Sequence, residues 1–518
     1  MTIQWSGLSP ELLLPLDRNS GQPLRTQLEG GLREAIRTGR LPVGERLPSS
    51  RELAREIGVS RGLVQECYAQ LIAEGYLESR VGSATRVAPG LLGAAGLVGA
   101  VAGVGRAVPG SPGGAGPARA PWPAGAAASA GGAVAGGTGA GAAGTGGAAV
   151  GVRLIADFRS GVPDLAAFPR GDWVWAMREA CREVATADLD YGDPRGSDVL
   201  RRVVAGYVRR VRAAAADPDR IVVCTGFAQG LGLSLRALAA ACGVTRVAFE
   251  DPGYGQAGTS SSIRAAGLAG AVAVPVPVDA DGLDVDALAA SGARAVVVTP
   301  AHQSPTGVVL TARRRHALVE WAARNDAYIV EDDYDSEFRY DREPVGVLQG
   351  LAPDRVLTIG TVSKALVPAI RLGWVLVPPA LVEAVAEEKT LSDRGTSGLD
   401  QLAVAALLES GRYDRHLRRM RAGYAKRREA LIGALAQHAP GVRLTGLAAG
   451  FHAVAHLPSR ADEAGVVAAA RERSVGLYGM SLNRSDGSVR PPQLVIGFGH
   501  VGERAIEAGV AAVGDLLR

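Results

Sequence analysis

Between Leu91 and Val150 the chain places 19 glycines and 20 alanines in 60 positions, and only Arg106 and Arg119 carry charge there. The stretch has neither the helical nor the strand period of apolar residues that an ordered element needs. "PGSPGGAGPARAPWPAG" adds repeated breakers. A polypeptide of this composition is a flexible tether with an end-to-end distance of about 5–6 Å × √60, roughly 40–46 Å. It divides the chain into a head (residues 1–88), a linker (89–151) and a body (152–518). The head is the size of a small domain, and the body is long enough to bury a large core.

The head reads as helices followed by a hairpin. "QPLRTQLEGGLREAIRTGRL" carries Leu24, Leu28, Leu32, Ala35 and Ile36 on one helical stripe. "LPSSRELAREIGV" comes next, with Ser49 or Ser50 as its N-cap and Gly58 as its stop. "SRGLVQECYAQLIAEGYL" is the third helix, capped by Ser60 and ended by Gly75. The short "GVS" connection makes these two a helix-turn-helix, and "YLESRVGSATRV" reads as two strands around Gly82-Ser83, the wing of a winged helix.

In such folds the start of the second helix reaches base edges. Ser60, Arg61, Gly62 and Gln65 are therefore candidate DNA contacts, with Arg46, Ser49 and Arg51 around the start of the preceding helix. Arg80, Gly82 and Arg86 would lay the wing along the backbone or minor groove. Residues 1–88 hold 11 arginines, no lysines and 10 acids, so DNA binding must depend on where the arginines lie.

The body alternates short β-branched runs with helical stretches. "RIVVCTG", "RVAFEDPG", "AVAVPVP", "ARAVVVTP", "AYIVEDDY", "RVLTIGT" and "LGWVLVP" predict strands, and "LTARRRHALVEWAARND" predicts one of the helices between them. This alternation predicts a mainly parallel sheet covered on both faces, with functional residues gathered beyond the strand carboxyl ends.

Of 56 basic residues only three are lysines, and one of them, Lys364, lies in the apolar segment "TIGTVSKALVPAIRLGW". A guanidinium stays protonated, whereas a lysine amine can lose its proton and attack a carbonyl to form a Schiff base. Its companions suit pyridoxal 5′-phosphate (PLP), which needs a lysine, a carboxylate opposite the pyridine nitrogen, a phosphate clamp and a stacking surface. Asp332 of "IVEDDYDSEF" is the candidate pyridinium partner, and Tyr334 would reach the cofactor's phenolic oxygen. The strand-to-helix turn "TGFAQG", with Ala228 and Gln229, offers backbone N–H groups to a phosphate. Arg371 adds a charged donor, Thr361 a hydroxyl, and Tyr254 of "EDPGYGQ" would stack on the ring.

Other functions are set aside by composition. The net charge of +4 is small, and the four cysteines form no C-x-x-C pair, so neither structural zinc nor a disulfide framework is expected. The N-terminus lacks the basic start of a signal peptide, and "LLGAAGLVGAVAGVG" is too short to span a bilayer. A cytoplasmic protein is expected.

"YGDPRG", "EDPGYG", "VTPAHQSPTG", "EDDYDSEFRYD", "IGTVSK" and "PAIRLGW", with the head segment "RLPSSRELAREIGVSRGLVQECYAQLIAEGYLESRVGSATRV", resemble a known family over the whole chain. The body resembles fold-type I PLP enzymes of the aminotransferase class. The whole resembles the MocR/GabR subfamily of GntR-type regulators. The resemblance implies a DNA-binding winged helix fused to an α/β aminotransferase-like domain that binds PLP and senses a small amine, an amino acid or PLP itself. It also implies a homodimer, with the head of one chain over the body of the other, Tyr191 reaching the neighbour's cofactor phosphate, and an operator of repeated half-sites.

Four positions depart from the family pattern. Ser304 stands where aminotransferases commonly have Asn, and Val495 where many hold the substrate carboxylate with arginine. Gln256 and Gln65 stand where relatives carry arginine, although Arg484 and Arg490 are near Val495 in sequence. The expected function is a PLP-dependent transcriptional regulator. The alternative is an aminotransferase in which Lys364 is both Schiff-base nucleophile and proton carrier.

Overall fold

The computed structural model describes residues 16, 22–37, 41, 43–79, 85–88, 154–254, 261–340 and 346–518. Arg80, Gly82, Gln256 and the linker lie outside the described residues.

In the head, α1 (Leu24–Arg37), α2 (Ser50–Glu56) and α3 (Arg61–Glu74) precede β1 (Leu77–Glu78) and β2 (Arg86–Val87), which pair antiparallel. Ser49 is the N-cap of α2: its hydroxyl accepts from Glu52 N–H while the Glu52 carboxylate accepts from Ser49 N–H, a capping box. The Ser60 hydroxyl accepts from Leu63 N–H to open α3, and Gly75 closes it at φ 87°, where a Cβ would be strained. The buried faces of the three helices meet through Leu28, Leu32, Leu53, Val64, Cys67 and Leu71.

The body is built on an eight-stranded sheet. Its strands are β3 (Ile221–Cys224), β4 (Arg246–Asp251), β5 (Val272–Asp279), β6 (Gly282–Leu283), β7 (Ala295–Val298), β8 (Tyr328–Asp333), β9 (Val356–Thr361) and β10 (Gly373–Leu376), in the spatial order β3-β10-β9-β8-β7-β4-β5-β6. Each predicted strand run falls on one of them. The central pairings are parallel; β10 runs antiparallel to both neighbours, and β6 antiparallel to β5. Every residue of β3, β7, β9 and β10 is buried, as strands covered on both faces require. Helices packed around this sheet include α4 (Asp198–Arg212), α5 (Phe227–Cys242), α6 (Ala312–Arg324) and α7 (Val382–Asp393). A separate antiparallel sheet joins β11 (Arg443–Thr445), β12 (His452–His456) and β13 (Gln493–Gly497).

The head core continues into the core on one face of the body sheet, through Leu318 and Trp321 of α6 and through Leu348 and Leu351. Polar contacts fix the seat. The Arg37 guanidinium donates to Tyr76 Oη at 2.8 Å, to the Gly350 carbonyl at 3.2 Å and to the Ala213 carbonyl, and Tyr76 Oη donates to the Gly350 carbonyl at 3.0 Å. His316 of α6 pairs with the Gly75 carbonyl. In this single chain the head therefore sits on its own body, whereas the resemblance implies a seat on the neighbour. Among the described residues no helix is long and apolar enough to cross a membrane.

Candidate functional site

The phosphate turn is set by one glycine. Gly226 has φ 93° and ψ −177°, a region open essentially to glycine alone, and it turns β3 directly into α5. The N–H groups of Phe227, Ala228 and Gln229 open that helix, where N–H groups lack an intrahelical acceptor and favour an anion. Arg371, exposed and at φ 53°, lays its guanidinium over the same turn; a Cβ on Gly226 would stand 3.3 Å from its Nη1. The Gln229 side chain points elsewhere. Its Oε1 accepts from Thr225 N–H at 2.8 Å and its Nε2 donates to Asp393 at 2.6 Å, so it offers an anion only its backbone.

Asp332, at the carboxyl end of β8, is 2% exposed. Its Oδ2 accepts from Tyr254 Oη, while its Oδ1 is buried without a partner. Burial pushes this carboxyl well above its ordinary range, against the pull of the Tyr254 hydroxyl. An unpaired buried acceptor costs about 1–3 kcal/mol, and a protonated ring nitrogen placed there would remove that cost. The residues present thus fit the pyridine edge of PLP.

Lys364 lies just beyond β9 and donates from Nζ to the Gly161 carbonyl at 2.6 Å. Burial lowers its pKa, opposed by Asp332 and Asp335, which favours the neutral amine a nucleophile needs. Tyr254 lies 5.5 Å from the Phe227 ring and 6.3 Å from that of Tyr334. Its hydroxyl positions Asp332, a role beyond the stacking expected of it. Tyr334 Oη donates to the His302 carbonyl at 3.0 Å, and Thr361 Oγ1 donates to the Leu372 carbonyl at 3.1 Å and accepts from Ser363 N–H. Both hydroxyl protons are therefore directed into the protein, and Ser363 joins the site without any signal of its own in the sequence. Tyr191 is 73% exposed, with the Arg394 guanidinium 5.0 Å from its ring centroid.

Behind Tyr334, His302 Nδ1 and Asp335 Oδ2 are 2.7 Å apart, and the His452 ring lies 4.5 Å from that of His302. These three buried groups lie within 4.8 Å of one another, a set able to hold a metal ion; in the structure His302 and Asp335 are hydrogen-bonded. His302 belongs to "VTPAHQSPTG" and Asp335 to "EDDYDSEF", yet only folding brings them together.

Neither Arg484 nor Arg490 is placed to stand in for the family's carboxylate holder. Val495 is 1% exposed and packs with Val454 and Met480. Arg484 is buried, and its guanidinium donates to the Ser488 and Pro491 carbonyls and to Gln493 at 2.7–2.8 Å. Arg490 is exposed.

In the head, Arg46, Ser49, Arg51, Ser60, Arg61, Gly62 and Gln65 are all exposed, while Val64, Cys67, Tyr68 and Leu71 of α3 are buried. Ser49 and Ser60 use their hydroxyls as caps, so their part is to present the two helix N-termini. Arg61 and Gln65, four residues apart, share one helix face.

Known proteins match this chain in the same two parts. Residues 157–483 match the aminotransferase class I and II family, and residues 24–87 match the gntR family of bacterial regulatory proteins. The HTH-type pyridoxine biosynthesis transcriptional regulator PdxR of Corynebacterium glutamicum is 31% identical over 97% of this chain and 98% of its own length. The probable rhizopine catabolism regulatory protein MocR of Rhizobium meliloti is 32% identical over 82% of this chain and 80% of its own length. Among solved structures, the multiple substrate aminotransferase of Thermococcus profundus superposes with a TM-score of 0.63 at 25% identity, covering 70% of this chain and 91% of that one. With both its regulatory head and its aminotransferase-like body matched in one continuous alignment, the chain belongs to the MocR-type regulators of the GntR family.

Proposed function

We propose that the protein binds PLP at Lys364 and that the state of this site changes how the head engages DNA. The observation that carries the reading is the unpaired, buried Oδ1 of Asp332, on a strand whose two flanking acids support the head's seat. When bound, PLP supplies an electrophilic carbonyl carbon and an electron-withdrawing ring. The residues of this chain do the rest. The turn at Gly226 and Arg371 would hold the phosphate, Asp332 would hold the ring proton, and Lys364, whose pKa burial lowers, would supply the amine for the carbonyl carbon.

Strand geometry supports the coupling. Successive side chains of β8 point to opposite faces. Ile329 belongs to the core shared with the head, and Val330 to the core on the other face. Glu331 and Asp333 therefore face the head side while Asp332 faces the cofactor side. Glu331 accepts from Leu348 N–H at 2.9 Å, and Asp333 grips Arg212 at 2.6 and 2.7 Å, beside the Ala213 carbonyl that receives Arg37. One short strand thus carries both the ligand's acid and the supports of the seat.

A segment as long as residues 89–151 would let a head use the same seat on its own body or on a partner's. In a head-to-tail homodimer Tyr191 would meet the neighbour's phosphate, and paired heads would read repeated half-sites.

The effector is a small amine, an amino acid or PLP itself. The relative named for pyridoxine biosynthesis supports PLP. Val495, packed in an apolar cluster, and Arg484, committed to three acceptors, weigh against an amino acid held by its carboxylate in the usual manner. If PLP is the signal, PLP titration will alter DNA binding and external amines will not.

The test is selection of genomic fragments by the purified, PLP-loaded protein. A discrete promoter with repeated half-sites is the expected result. No enrichment, together with sustained transamination that is lost in Lys364→Ala, would establish the aminotransferase reading instead. Arg61→Ala is expected to weaken operator binding by about 1–3 kcal/mol, the worth of one bidentate guanine contact, in a mobility-shift titration. PLP loading should be unchanged in that variant; loss of both would indicate a folding defect.

A further inference from the structure

We propose that Lys389 is a positioning residue for the cofactor phosphate, holding the turn that binds it in its anion-accepting shape. The proposal rests on the PLP reading above. Lys389, in α7, is the second of the chain's three lysines, and its side chain is 0% exposed. Its ammonium donates to three different oxygens: Asp393 Oδ2 at 2.7 Å, Thr396 Oγ1 at 2.9 Å and Gln229 Oε1 at 3.1 Å.

Gln229 is the point of leverage. Its Oε1 also accepts from Thr225 N–H at 2.8 Å, and its Nε2 donates to Asp393 Oδ2 at 2.6 Å and to Ser392 Oγ at 3.4 Å. Thr225 and Gln229 bracket Gly226, Phe227 and Ala228, the residues that turn β3 into α5. An ammonium has donors and no acceptor, so it dictates which end of the Gln229 amide faces it. With Oε1 turned to Lys389, the same oxygen meets Thr225 N–H and closes the turn.

Asp393 balances the charge of Lys389, so the contribution is geometric more than Coulombic. The position also explains why a chain rich in arginine keeps a lysine here. A compact ammonium can serve three oxygens in different directions, whereas a planar guanidinium cannot do so within this volume.

The consequence is selectivity for the phosphorylated vitamer. Lys389 touches the turn and not the residues facing the ring, namely Asp332, Tyr254 and Lys364. Titrations of the full-length protein with PLP and with unphosphorylated pyridoxal, followed by the visible absorbance of the lysine-linked ligand, test this. Lys389→Met should weaken PLP binding about tenfold or more and leave pyridoxal binding within about twofold, since a hydrogen bond to a charged group is worth more than one between neutral groups.

Removing one member of a buried pair can itself destabilise a protein. The double variant Lys389→Met/Asp393→Leu removes both charges and should show the same selective loss. Equal weakening of both ligands, or unchanged PLP binding in either folded variant, would overturn the role of Lys389 alone. An unsubstituted protein that binds neither ligand would instead overturn the PLP reading, and this proposal with it.

Discussion

Lys364→Ala is expected to abolish the visible absorbance that PLP acquires on joining a lysine. Only three lysines are present, so borohydride reduction of the loaded protein and peptide mapping give a decisive assignment. Lys389 is fully buried and hydrogen-bonded to three oxygens, and Lys426 lies in the helix Arg412–His438. Lys364 stands just beyond a parallel strand's carboxyl end, near Asp332, and burial lowers its pKa. The reduced adduct should therefore map to Lys364. PLP should still associate weakly with Lys364→Ala, because the proposed phosphate site at the Gly226 turn and Arg371 does not include the lysine. An unchanged spectrum in Lys364→Ala, or an adduct on another lysine, would show that the site is misassigned.

Much of this arrangement is legible in the sequence because it rests on local rules. Apolar runs bounded by Gly and Pro mark seven of the strands, and Ser60 and Gly75 mark the ends of the recognition helix through capping chemistry. Lys364, Asp332 and the "TGFAQG" turn stand out because each lies at a strand end. Side-chain direction is what local rules leave open. Tyr254 reads as a stacking ring, but nothing local tells that its hydroxyl reaches Asp332, 78 residues away. Gln229 reads as a phosphate residue, but its amide faces α7 through contacts more than 150 residues distant. The buried pair of His302 and Asp335 depends in the same way on two strands meeting. The position of the head over one particular face is equally invisible, since it depends on contacts such as Arg37 with the Gly350 carbonyl, 313 residues away in the chain.

The second large effect is expected from Arg212 and Asp333. Arg212 is 2% exposed, and two of its guanidinium nitrogens meet both oxygens of Asp333 at 2.6 and 2.7 Å. Removing either partner alone leaves a buried charge and should cost about 3–5 kcal/mol, which would obscure any specific role. Replacing both, as Arg212→Met/Asp333→Leu, keeps the volume apolar and should leave the body folded. The backbone next to Arg212 is what the head contacts: Ala213, at φ 52°, turns its carbonyl toward Arg37, and the Arg212 carbonyl accepts from Val347 N–H at 2.9 Å. Freed from Asp333, this corner no longer moves with the strand that carries Asp332. PLP affinity should be nearly unchanged, because Asp332 lies on the other face. Operator affinity without ligand should also persist, because Arg61 and Gln65 are exposed at the opposite end of α3 from Gly75, which lies against α6. The response should disappear: ligand addition that shifts operator binding of the unsubstituted protein should leave the double variant unmoved in the same titration. A coupling of about 1–3 kcal/mol, typical of linked sites, corresponds to roughly 5–150-fold in affinity and is readily resolved. A folded double variant that keeps the full response would mean that the signal bypasses the Asp333–Arg212 pair. Arg37→Ala, which removes the head's side of the same contact, would then be expected to keep the response as well. Loss in both variants, with PLP binding intact, is the result that identifies the Asp333–Arg212 pair and the adjoining Arg37–Ala213 contact as the connection between ligand and DNA.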